Sequence, residues 1–285
     1  AKTAFEYLEK VQVTDKTPGN GGDTGWFLQK THVDGELEWV GVQLDQTAMP
    51  IMLAWKLHQA GVLSDQELTD WYGKMLKPAA DFLVDGGLAK ILWNDTQITP
   101  PATQQERWEE QNGFSPSTTA AVVAGLVTAA DIAKKAGDTK NAERYLATAK
   151  TYNSEIESTM FTTQGNLKSE NSDGEYFIRI GQDKDPNSST TLNANNGREG
   201  FDKKQILDGG FLELVRYGVR DALAPSIVKT IPEYDDVTLV DNLQVRYTFN
   251  FADGSGSFPG YRRYGNDGYG EDEVTGNNYA EGGNN

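Results

Sequence analysis

The chain has 285 residues, no cysteine, and 26 Lys and Arg against 42 Asp and Glu, a formal net charge of −16. That balance repels nucleic acid and anionic membrane surfaces, which argues against both as partners and favours a neutral or cationic ligand. Without cysteine there is no disulfide, thiolate metal site or cysteine nucleophile. With only two histidines, His32 and His58, neither a Ser-His-Asp triad nor a histidine-rich metal site is expected, so any chemistry falls to carboxylates. No run of about 18 apolar residues marks a membrane span. The absence of cysteine is compatible with a bacterial secreted protein, extracellular or periplasmic.

In chain order, AKTAFEYLEKVQ reads as the end of a helix already under way and not as a signal peptide. TGWFLQKTHVDGELEWVGV alternates around Asp34-Gly35 and predicts a hairpin. QTAMPIMLAWKLHQAG (46–61) predicts an apolar helix closing at Gly61, with His58 near its end, where a cation offsets the macrodipole. In SDQELTDWYGKMLKPAADFLVDGG, Ser64 and Glu67 have capping-box spacing, Pro78 predicts a kink or split, and a glycine pair ends the helix. SPSTTAAVVAGLVTAADIAKKAG places Ser115 at the N-cap and Pro116 at the first helical position, and stops at Gly137. Asp138 then caps TKNAERYLATAKTYNSEIESTMF. KQILDGGFLELVRYGVR (204–220) and ALAPSIVKTI (222–231) are read as the last helices, and EYFIRIG and NLQVRYTFNF as strands. From Ala252 the chain is rich in glycine, asparagine and acids; 252–285 reads as a disordered tail or a long loop held over a site. Helices of this length joined by short turns are the pattern of stacked antiparallel helix hairpins. The fold class is all-α, with a few short strands in loops.

Polar-aromatic clusters recur in the loops. They are Trp39 with Gln43 and Asp45; Glu106, Trp108, Glu109 and Glu110; and Tyr261, Arg263, Tyr264, Asp267 and Tyr269. A neutral sugar needs this combination: a ring face to stack on, and directional hydrogen bonds to its hydroxyls. Glycosidic cleavage needs one protonated carboxyl to assist the leaving oxygen and one ionised carboxylate as base or nucleophile. Like-charge repulsion between Glu109 and Glu110, together with aromatic burial, would raise a carboxyl pKa and supply the first. Acids at a helix start also simply favour the dipole, so WEE alone has a structural reading, as do Trp39 and Gln43. DKDPN (183–187) spaces oxygen ligands as calcium loops do but lacks the glycine and glutamate such a loop requires, and reads as a turn. GSGSFPG (254–260) is a loose glycine loop, with neither the lysine nor the helix of a phosphate site.

Four blocks in order resemble glycoside hydrolase family 15, in its bacterial and archaeal glucoamylase or glucodextranase-like group. They are WVGVQLDQTAMPIMLAWKL, QERWEEQNGFSPSTTAAVVAGL, QILDGGFLELVRYGVR and FPGYRRYGNDGYGE. The resemblance implies an (α/α)6 barrel with its site in a funnel at one end. It also implies an inverting, exo-acting hydrolase that releases β-glucose from the non-reducing ends of α-glucans. On it, Glu109 matches the general acid, and Trp108 and Glu110 match contacts around the leaving sugar. Glu106 matches an acid that orders the loop, and Trp39, four residues before Gln43, matches the platform tryptophan and its glutamine; Asp45, in the same cluster, is read as a further substrate contact. Arg263 and Asp267 match the sugar-binding pair.

The family's upstream Trp-x-Arg-Asp motif has no counterpart before Trp39, and its general base is expected beyond the last residue. About seven or eight of twelve helices are counted. Residues 1–285 are therefore expected to be the middle of one catalytic domain, inactive alone and completed by further segments, which a second chain could carry. The expected partner is an α-linked glucan or oligosaccharide. No cofactor is expected; calcium is left open, without a complete ligand set. The alternative readings are a non-catalytic carbohydrate-binding protein, for which only Glu271 and Glu273 could stand in as base, and another inverting α/α-barrel enzyme such as a trehalase.

Overall fold

The computed structural model describes residues 1–167, 170, 172–192, 200–240, 243–251 and 253–267. Two compact units divide the chain, Ala1–Glu155 with Tyr217–Val219, and Ile156–Arg216 with Arg220–Asn285.

The first unit is built on helices whose ends follow the local chemistry. After α1 (Lys2–Val11), β1 (Lys30–Thr31) and β2 (Leu37–Trp39) form the hairpin expected around Asp34-Gly35. α2 (Leu44–Gln59) starts two residues earlier than its apolar run suggests. Ser64 and Glu67 close a full capping box on α3 (Asp65–Trp71), satisfying backbone N–H groups that the helix itself cannot. The break near Pro78 takes an unexpected form. Tyr72–Leu76 widens into a π-helical turn that runs continuously into α4 (Lys77–Asp85), whose first turn holds the proline; a proline has no N–H for the regular i→i−4 bond, and the wider turn makes room for its ring.

A hairpin then follows that the sequence reading did not anticipate: β3 (Gly87–Ile91) pairs with β4 (Asn94–Ile98) across a two-residue loop. α5 (Pro116–Lys135) has Ser115 at its N-cap position, but the hydroxyl bonds Ser117 Oγ at 2.9 Å instead of capping. Asp138 does cap α6 (Thr139–Ser154) through the Asn141 amide.

α5 is the central helix of this unit. It is long and apolar enough to cross a membrane, but 78% of its most apolar window is buried in the protein. Ile51 and Ala54 of α2 and Ala121, Leu126 and Ile132 of α5 are fully buried, each large aliphatic side chain contributing about 1.5–3 kcal/mol. Gly125 sets the approach of the two helices: a Cβ there would lie 2.8 Å from that of Ala48.

The second unit has less regular structure. α7 (Ile156–Met160) leads into β5 (Phe161–Thr162), paired with β6 (Tyr176–Phe177), and β7 (Thr191–Leu192) pairs with β8 (Phe201–Asp202). The long helix expected over 204–220 is not formed. Two 3-10 turns, Lys203–Gln205 and Gly209–Phe211, precede a short α8 (Leu212–Arg216). The cause is local: the Asp208 carboxylate accepts from the Gly210 amide at 2.8 Å and so starts a new turn, while Gly218 (φ 72) ends the segment. α9 (Pro225–Tyr234) follows. The glycine loop expected at 254–260 is largely a strand, β10 (Gly256–Tyr261), paired residue for residue with β9 (Arg246–Phe251).

The DKDPN turn is organised around a buried ammonium. Lys203 Nζ donates to Asp183 Oδ1 (2.7 Å), the Asp185 carbonyl (2.6 Å) and Ser188 Oγ (2.7 Å), which uses all three of its protons. Burial acts to raise the Asp183 pKa. Hydrogen bonds from Lys203, Thr190 and Ser188 outweigh it and bring the carboxyl down to about 2.

Candidate active site

In the first unit the QERWEEQNG segment is a tight loop closed at its base by the Thr103–Gly113 pair, whose two amides exchange hydrogen bonds at 3.0 Å. Glu106 is its hub and is fully buried. The Glu106 amide donates to the Gln111 carbonyl at 3.0 Å, and the Glu106 carbonyl accepts from the Glu109 amide at 2.7 Å. The same carbonyl accepts from Gln43 Nε2 at 2.9 Å. Gln43, at the N-cap position of α2, thereby ties the platform region to the acid loop. Two more bonds reinforce the tie, Gln105 N to Val42 O (3.1 Å) and Leu44 N to Thr103 Oγ1 (3.2 Å). Gly41 leaves room for two glutamines: a Cβ there would sit 1.9 Å from Gln105 Oε1 and 2.6 Å from Gln29 Oε1, so both side chains would have to move.

At the loop's tip Glu109 has φ 67, left-handed backbone that a glutamate adopts only where its surroundings over-determine it. Its side chain is exposed, so the aromatic burial expected around it is absent among the described residues. Trp108 is half-buried with the Arg107 guanidinium 4.6 Å over its ring. Glu110 is half-buried. Asp45 is buried in the first turn of α2, and Trp39 ends β2 with 48% of its surface exposed.

Among the expected residues, the structure thus links Gln43 and Glu106 directly and places Glu109 one hydrogen bond away. Sequence reasoning missed the pair that braces this arrangement. Asn94 Nδ2 donates to Val40 O (2.7 Å) and Gln104 Oε1 (2.9 Å), while Gln104 Nε2 returns bonds to Asn94 Oδ1 and Thr96 Oγ1 at 3.0 Å. Val42 N completes the set on Gln104 Oε1 at 2.9 Å. The alternation in LAKILWNDTQI was the available signal, but its turn carries no glycine to announce a hairpin.

Arg263 and Asp267 lie in the second unit and form a bidentate pair, Nε to Oδ2 and Nη2 to Oδ1, both 2.8 Å. Such fork-to-fork geometry fixes both side chains. Tyr264 between them in sequence is buried, its ring lying 3.6 Å from the Arg179 guanidinium carbon and 5.2 Å from that of Arg263. Arg179, itself buried, is a second residue the sequence reading did not single out. Tyr261 donates to Asp235 at 2.9 Å and stacks on Tyr234. Tyr269, Glu271 and Glu273 lie outside the described residues.

Paired helices that carry carboxylates and exposed indoles in the loops at their ends define an α/α-type scaffold with a polar-aromatic site. Residues 6–280 match the family model described as "Glycosyl hydrolases family 15", and the chain belongs to that family. It is 35% identical over 275 residues to a glucoamylase of Clostridium sp. (strain G0005), covering 96% of this chain and 32% of that protein. The crystal structure of a bacterial glucoamylase complexed with acarbose matches it with a TM-score of 0.76 at 34% identity, over 99% of this chain and 35% of that one. The fold class is all-α, of the α/α-barrel type. The chain spans about a third of the length of these relatives.

Proposed function

We propose that this chain carries the acid half of an inverting, exo-acting glycoside hydrolase that releases β-glucose from the non-reducing ends of α-glucans. Glu109 is the general acid. The observation that carries this reading is its left-handed backbone (φ 67) at the tip of a loop whose hub, Glu106, is hydrogen-bonded to Gln43. Strain of this kind persists where a side chain must be aimed. In the reaction the Glu109 carboxyl gives its proton to the leaving glycosidic oxygen as the C–O bond breaks. Water attacks the opposite face of the sugar, losing its proton to a base carboxylate expected outside residues 1–285. Trp108 and Glu110 frame the leaving sugar, Trp39 stacks on a ring, Gln43 and Asp45 position the platform, and Arg263 and Asp267 grip hydroxyls. Family membership and the acarbose complex of the relative support a glucan as ligand. We infer an extracellular or periplasmic location, where a polymer too large to import would be met.

The test is Glu109→Gln in the full-length protein, assayed on maltose with proton NMR of the first sugar released. Turnover should fall by about two orders of magnitude or more, and the wild type should release the β anomer first. Unchanged turnover would move the acid elsewhere, and α-glucose appearing first would sink the inverting mechanism.

A further inference from the structure

The turn between β3 and β4 violates local preference in two ways. Ile91 pairs with Asn94, so its loop is the dipeptide Leu92-Trp93, where two-residue hairpins favour Asn, Asp or Gly. Leu92 is held at φ 51, a conformation disfavoured for a residue with a Cβ. Both side chains then point outward, Leu92 being 64% and Trp93 59% exposed. A turn selected for folding alone would carry neither.

The hairpin is nevertheless firmly held. On one edge Gly21 N donates to Lys90 O (2.8 Å) and Asp23 N to Leu88 O (2.7 Å). On the other, Asn94 bonds Val40 O and Gln104. Those contacts fix the turn's location: Asn94, next after Trp93, bonds the residue next after Trp39 and a residue two before Glu106. An exposed, uncharged indole on a rigid support beside the acid loop, in a chain of net charge −16, suits a neutral ring with an apolar face and not an anion.

We propose that Trp93 is a sugar-stacking subsite that takes glucose units of an α-glucan beyond those at Glu109, so that the site selects long chains over disaccharides. The inference rests on the glucan reading above. The strained turn serves to hold the indole clear of the surface, where a ring can lie flat on it.

The test uses the full-length protein with Glu109→Gln to block turnover, and calorimetry with maltose and with maltoheptaose. The parent should bind maltoheptaose more tightly than maltose. Trp93→Ala should reduce the ratio of the two affinities about three- to tenfold, and Trp93→Phe, which keeps a ring, should retain most of it. An unchanged ratio in Trp93→Ala overturns the proposal, as does a loss shared equally by both sugars. If the enzyme with Glu109 intact releases no glucose but binding still depends on Trp93 in this way, the hydrolytic reading fails while the subsite stands.

Discussion

Two glutamates of this chain show how the same carboxyl group is put to different uses. Glu109 is exposed on strained backbone, so replacing it by glycine should relieve about 1 kcal/mol of strain while removing the proposed proton donor. Glu233 is the opposite case, on regular helix and only 1% exposed. Burial raises its pKa, with the charges of Asp173 and Asp236 pushing the same way. A carboxyl whose folded pKa is raised favours the native state in acid, and that contribution is lost as pH rises from the ordinary glutamate range through the folded value. Glu233→Gln should therefore raise the unfolding midpoint at neutral pH and flatten its decline above about pH 5. Thermal melts of both proteins across that range check it; parallel pH profiles would show that Glu233 is not titrating there.

At the scale of elements, the braced loop is the unit that holds the proposed acid. The Asn94–Gln104 pair joins β4, the segment before α2 and the acid loop through five hydrogen bonds. Gln104→Leu would leave Val42 N, Asn94 and Thr96 without these partners. The cost should be about 2 kcal/mol in urea unfolding, with a fall in kcat larger than any rise in KM, because the loop's tip loses its aim. A fall in stability with kcat unchanged would make the pair structural only. Helix ends marked by short-range chemistry were legible in the sequence: Ser64 with Glu67, and Asp138 before α6. The Leu92-Trp93 turn was not, since it lacks turn residues, and neither was the break at 204–220. There the apolar spacing of QILDGGFLELV imitates a helix, while Asp208 bonding Gly210 decides against one. The acid block itself was legible as residues, but its backbone strain and exposure were not, because nothing in a letter reports φ.

Over the whole molecule, charge and composition favoured a neutral or cationic ligand, and the match over residues 6–280 places the chain in glycosyl hydrolases family 15. The division into two units places Glu109 in one and the Arg263–Asp267 pair in the other, a separation in sequence of about 150 residues that no local pattern could bridge. One further consequence belongs to the second unit. Lys203 Nζ occupies the centre of a loop whose oxygens are spaced as cation ligands. The Ser188 amide, bonded to Asp185 O, should exchange with solvent deuterium equally fast with and without a chelator. Lys203→Met should speed that exchange and cost about 2–3 kcal/mol, discounted because Asp183 is partly solvated. Chelator-sensitive exchange in the wild type would contradict this account. A positive charge that arrives with the polypeptide cannot be stripped, exchanged or competed for. This corner of the molecule assembles the same way whatever ions surround it.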